Sequence, residues 1–132
     1  MSEEDPRAWL NFAEADRLSA RNALNAADYR DAAFHCQQAI EKVLKAAIVA
    51  QTGQRPPYIH NLWILANAIK GLVVPDEMRD AMARINAHYI TTRYPISMLM
   101  EEYMDKESAI ELYELMERVY QWLMAELNLG SV

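Results

Sequence analysis

Glycine almost never interrupts this chain: Gly53, Gly71 and Gly130 are the only three in 132 residues. An average protein is about 7% glycine, and sheets rely on it for the tight turns that join their strands. A sequence this poor in glycine therefore points to long helices. The five prolines, Pro6, Pro56, Pro57, Pro75 and Pro95, read as punctuation in the same way. Between these breaks the runs are long enough for helices of several turns.

Asp5-Pro6 has the form of an N-cap followed by proline at the first helical position, where the missing N–H costs nothing. The first helix is expected over Pro6–Asn25, with Trp9, Phe12, Ala13, Ala20 and Leu24 on its inner side. Asp28 caps a second, from Tyr29 to about Gln51, which stops at Gly53. Its Ala32, Cys36, Ala39, Ile40, Val43, Ala47 and Ile48 keep the three–four spacing of one buried face. The paired prolines make the stretch from Gly53 to Tyr58 a loop. A short third helix runs from about His60 to Lys70 and ends at Gly71. A fourth opens at Pro75, carries Met78, Met82, Ile85 and Tyr89 on one side, and is closed by Pro95. After a connection with a helical turn around Ser97 to Tyr103, Asp105 caps the last helix, from Lys106 to about Asn128. Ile110, Tyr113, Met116, Val119, Tyr120, Leu123 and Leu127 form its stripe. The expected fold is all-α. It is a single domain over residues 1–132, an up-and-down antiparallel bundle of four main helices plus a short extra one.

Composition excludes several classes. With 52% hydrophobic and 24% charged residues the chain is not disordered. The lone cysteine, Cys36, allows neither a disulfide framework nor a multi-cysteine zinc site, and its stripe position makes it core rather than nucleophile. The acidic start shows no secretory signal, and no apolar run is long enough for a membrane span, so a cytoplasmic location is expected. HExxH, glycine-rich phosphate loops and paired carboxylates with ligand spacing are missing, so no metal or cofactor is called for.

The net charge of -6 argues against a general nucleic-acid coat, but it is unevenly spread. Residues 1–29 carry six acids and three bases, residues 30–93 five acids and eight bases, and residues 94–132 eight acids and two bases. A basic middle between acidic ends suits a local phosphate-binding patch, or simply solvated helix faces.

The densest polar set lies on the second helix, where His35, Gln38, Lys42 and Lys45 share one stripe. Such a stripe can meet phosphates and base edges. Equally, Glu41 and Lys45 form an i,i+4 pair that supports the helix, and the glutamines can hydrogen-bond across a helix seam. His60 can cap the third helix or bind a ligand. Arg93, with Tyr94, can complement a helix end or hold a phosphate. Arg30 and His35 could together cleave RNA through its 2′-hydroxyl, histidine moving the proton and arginine holding the phosphate. Five positions, however, turn about 140° around a helix, so convergence would need a second subunit. Arg55 and His60 have the same gap across the proline loop. Arg84 and His88 do share a face, without further catalytic company.

Three phrases together resemble a known family. Asp28-Tyr-Arg-Asp-Ala-Ala-Phe-His-Cys-Gln-Gln-Ala-Ile-Glu-Lys-Val-Leu-Lys-Ala46, His60-Asn-Leu62 after Pro56-Pro57, and Thr92-Arg-Tyr-Pro95 are similar to the HEPN domain. The likeness runs from about Trp9 to Leu127. It implies a helical bundle, usually homodimeric, with a link to nucleotides or RNA. Many members that look like this act as partners of a small nucleotidyltransferase, some in toxin–antitoxin pairs. Ribonucleases of the family carry an arginine followed by histidine after four to six residues. Arg30, Asp31 and His35 fit that wording, but active members hold it on a later helix, and no histidine follows Arg93 here. The resemblance thus implies a non-catalytic dimeric module that binds nucleotide or RNA through His35, Gln38, Lys42, His60, Arg93 and Tyr94 and docks a nucleotidyltransferase. The alternatives are a metal-independent ribonuclease using Arg30 and His35, and a purely structural dimerisation protein whose last helix offers Tyr113, Tyr120 and Trp122.

Overall fold

The computed structural model describes residues 2–93 and 104–131, with side chains on 2–88 and 104–130. Among the described residues five helices follow one another: α1 Pro6–Asn25, α2 Tyr29–Thr52, α3 Leu62–Asn67, α4 Asp76–Arg93 and α5 Lys106–Glu126. A 3₁₀ turn, Leu129–Ser131, ends the described chain, and among the described residues there is no strand.

Local chemistry sets the helix ends. Asp5 accepts the Arg7 N–H at 2.9 Å, with Pro6 opening α1. Gly53, at φ 68°, closes α2 in the left-handed conformation that glycine adopts without a Cβ penalty. Asp105 accepts the Ser108 N–H at 2.7 Å and starts α5. Two expectations shift. The third helix starts at Leu62 rather than His60, because Asn61 is the residue that caps it, accepting the Ile64 N–H at 3.1 Å. It stops at Asn67, after which the Ala68 and Ile69 N–H groups bond three residues back and the chain tightens out of the α geometry. Asp28 occupies the cap position of α2, but its carboxylate makes no capping bond.

Helix α2 is the axis of the molecule, with α1, α3, α4 and α5 all packed on it. Fifteen of its 24 residues are buried, including every position of the expected stripe. Ala13 and Ala20 on α1 and Ala33, Ala39 and Ala47 on α2 are small enough to let the core close tightly. Met82 and Ile85 of α4 and Met116, Val119 and Leu123 of α5 complete the core.

The inner side expected for α1 is too wide. Ala13 and Ala20 are buried, but Trp9 and Leu24 are half-buried, and Phe12 stands 59% exposed because the alanines, not the aromatics, face α2. The aromatic surface expected on the last helix is also corrected. Tyr120 is buried in the core, and Tyr113 and Trp122 pack against it half-buried. The Tyr120 hydroxyl donates to Glu14 at 2.7 Å, and Arg17 lies 4.7 Å over its ring while clamping Glu117 at 2.6 Å. These contacts tie α1 to α5. The Tyr89 side chain, Pro95 and the turn expected around Ser97 to Tyr103 lie outside the described residues.

Candidate functional site

The polar stripe of α2 faces α1, and one acid on α1 organises its outer half. Asp16 is buried, and its two oxygens serve two partners on α2: His35 Nδ1 at 2.8 Å and the Lys42 ammonium. A carboxylate only accepts, so Nδ1 carries the proton and His35 keeps Nε2 for another partner. His35 and Lys42 remain 27% and 23% exposed, and the Lys42 ammonium sits 5.8 Å from the ring of the outward Phe12. An imidazole, an ammonium and an aromatic face therefore meet at the surface around one buried carboxylate.

The inner half is a separate network. Lys45 and Glu41, one turn apart, pair at 3.0 Å with only 5% and 4% of their side chains exposed. The Lys45 ammonium also lies 5.6 Å from the ring of Trp9. His60 brings Nδ1 to 3.1 Å from Glu41, and its carbonyl accepts from Gln37 Nε2 at 2.9 Å. Gln37 in turn accepts from Gln38 Nε2 at 2.8 Å. Every buried side-chain polar atom among the described residues has a partner. That satisfaction is what makes a buried ion pair tolerable.

The expected ligand set is thus divided. His35 and Lys42 come together on Asp16, whereas Gln38 and His60 belong to the network around Glu41. The Arg93 side chain and Tyr94 lie outside the described residues. Arg30 is half-buried near the start of α2 and has contacts of its own. Arg84 reaches Glu111 on α5, and its charge, after burial, holds the His88 imidazole below its usual range. Asp16 was not singled out from sequence, whereas the Glu41–Lys45 pair was, as an i,i+4 support of the helix. The signal for Asp16 was present: it stands between Ala13 and Ala20 at spacings of three and four, an acid on an apolar stripe.

The family model of the HEPN domain matches residues 6–127. The chain belongs to the HEPN family. Two solved structures share the HEPN bundle seen here. One is TT1696 from Thermus thermophilus, 24% identical, with a TM-score of 0.79 over 91% of this chain and 96% of that one. The other is ST0689, an archaeal HEPN homologue, 21% identical, with a TM-score of 0.72 over 96% and 99%. Comparison with curated protein sequences gives no match.

Other chemistry in this HEPN chain is constrained. Among the described residues no group of three or more His, Cys, Asp and Glu side chains is placed to hold a metal, and no helix is long and apolar enough to cross a membrane. Cys36 is fully buried, and burial, helped by the charge of Glu117, pushes its thiol up to about 12. It stays a neutral thiol at physiological pH. In native protein at pH 8, 5,5′-dithiobis(2-nitrobenzoate) should leave Cys36 unmodified over an hour-scale assay and label it fully in denaturant. Rapid labelling of the native protein would show an accessible thiolate and contradict its place in the core.

Proposed function

We propose that this HEPN chain is a dimeric, non-catalytic module that associates with nucleotide or RNA and docks a small nucleotidyltransferase, with His35, Lys42 and Phe12 as its ligand-facing group. The observation that carries the binding role is the cluster on Asp16. Phe12 offers a ring to stack a base, Lys42 offers donors to a phosphate, and His35, with its Nδ1–H on Asp16, offers Nε2 as an acceptor to a sugar hydroxyl or base amine. Asp16 holds both groups in place and tempers the Lys42 charge, which suits a reversible ligand better than a permanent polyanion. The dimer and the partner follow from the family resemblance rather than from the cluster.

The test is a titration of labelled ATP, GTP and a short single-stranded RNA into wild type, Phe12→Ala and Lys42→Ala. Both variants should keep the helical signal and lose about tenfold in affinity, the worth of one stacked base or one charged contact. Wild-type binding that neither variant weakens would move the ligand elsewhere. No binding at millimolar ligand would remove the nucleotide role.

A second reading is favoured by one feature. A buried carboxylate on Nδ1 is how a histidine is oriented to act as a base through Nε2. If the Asp16–His35 pair serves ribonuclease chemistry, wild type cleaves RNA in EDTA and His35→Ala does not. Equal cleavage by both would come from a contaminant, and no cleavage by either leaves the binding role standing.

A further inference from the structure

Sharing no residue with the Asp16 cluster, an open groove of about 480 Å³ is bordered by α3 and α4 and lined among others by Asn61, Trp63, Ile64, Arg79, Met82 and Asn86. Its size is in the range of small-ligand sites. Trp63, Ile64 and Met82 make the walls largely apolar. The polar groups are of one kind. Asn61 Oδ1 accepts the Ile64 N–H at 3.1 Å, and Asn86 Oδ1 accepts the Leu62 N–H at 3.0 Å. Each amide oxygen is therefore oriented by one accepted bond, and the NH₂ groups are left to donate. Arg79 lies 4.6 Å over the Trp63 ring and is itself exposed. Among the described residues, neither amide nitrogen nor the Arg79 guanidinium has a hydrogen-bond or carboxylate partner.

We propose that this groove binds the base of a nucleoside or nucleotide, stacked on the Arg79 guanidinium and held by hydrogen bonds from the Asn61 and Asn86 amides. A flat ring suits the face of a guanidinium already backed by tryptophan. A base also brings ring nitrogens and carbonyl oxygens, acceptors that match the unpartnered NH₂ groups of the rim. The surrounding charge sets the preference among nucleotides. Asp76, one turn before Arg79 on α4, and Asp80, next after it, are both exposed, whereas Glu77 is paired with Arg118. Two exposed carboxylates within one turn of Arg79 on α4 disfavour added phosphates, so the groove favours a nucleoside or monophosphate over a triphosphate. The ligand class is the one proposed above and rests on that reading. The position is separate, and so is the ordering, because the Lys42–His35 cluster gains from each phosphate.

Nuclear magnetic resonance on the full chain tells the two apart. Adenosine, its monophosphate and its triphosphate are titrated to about 10 mM, a range that reports millimolar affinity. Adenosine and the monophosphate should shift the Trp63 indole N–H and the Asn61 and Asn86 NH₂ signals, the triphosphate less so. Arg79→Gln should weaken those shifts about tenfold with the backbone spectrum otherwise kept. Shifts confined to signals around Phe12, His35 and Lys42 would overturn the groove and leave the proposed function intact. Tighter binding of triphosphate than adenosine in the groove, or an unaffected Arg79→Gln, would overturn the stacked-base assignment. No shift anywhere would overturn both.

Discussion

Glu41→Ala should lower the stability of the fold by about 3–5 kcal/mol, the cost of leaving a buried charge unpaired. Glu41 is the acceptor for Lys45 at 3.0 Å and for Gln37 at 3.3 Å, and it faces His60 Nδ1 at 3.1 Å. Truncation leaves the Lys45 ammonium buried with the Trp9 ring as its nearest described compensation, and a ring face replaces little of a carboxylate. The measurement is urea unfolding followed by circular dichroism at neutral pH. Removing both charges separates the two costs. Glu41→Leu with Lys45→Met fills the same space without ions and should recover most of the loss, since apolar replacement of a buried pair is often neutral. A single variant as stable as wild type would mean that water reaches Lys45. A double variant as damaged as the single one would assign the loss to packing instead of charge.

Leu44→Ala should be of similar size, about 2–5 kcal/mol, through lost burial and the cavity left behind. Leu44 is fully buried on α2, where every neighbouring helix converges and little room exists to collapse. Leu18→Ala is the matched control, because Leu18 is 48% exposed on α1 and should change stability by no more than about 0.5 kcal/mol. Both are read from the urea midpoint, with the slope unchanged if unfolding stays two-state. Equal costs at the two positions would contradict the enclosed placement of α2.

What the sequence revealed follows from where the information is local. The starts at Pro6 and Lys106 and the stop at Gly53 were legible because a cap is a contact between residues a few positions apart. The stripe of α2 was legible for the same reason, as spacing along one helix. Phe12 was misplaced because spacing cannot say how wide a face the neighbour covers. Alanines bring the helices close, and the aromatic falls off the edge of the contact. The short α3 was expected, but its start was set two residues early because Asn61, not His60, supplies the cap oxygen. His35, Gln38 and Lys42 were correctly read as one stripe, yet their division between Asp16 and Glu41 depends on α1, some twenty residues away in sequence. A pattern within one helix does not name its partner across the seam. The acid at position 16 did leave a trace, as the polar member of an otherwise apolar stripe.

The enclosure of α2 has a consequence for what the most recognisable stretch of this chain can mean. The phrase from Asp28 to Ala46 falls almost wholly on α2, which α1, α3, α4 and α5 all touch. Residues there answer to several neighbours at once, so few substitutions fit, and the stretch carries more fold information per residue than any exposed surface. A chain can keep that wording while its outward groups change completely. The wording therefore says first how such a chain is assembled; of the proposed ligand-facing groups it holds only His35 and Lys42, at the edge of α2, while Phe12 and Arg79 stand outside it.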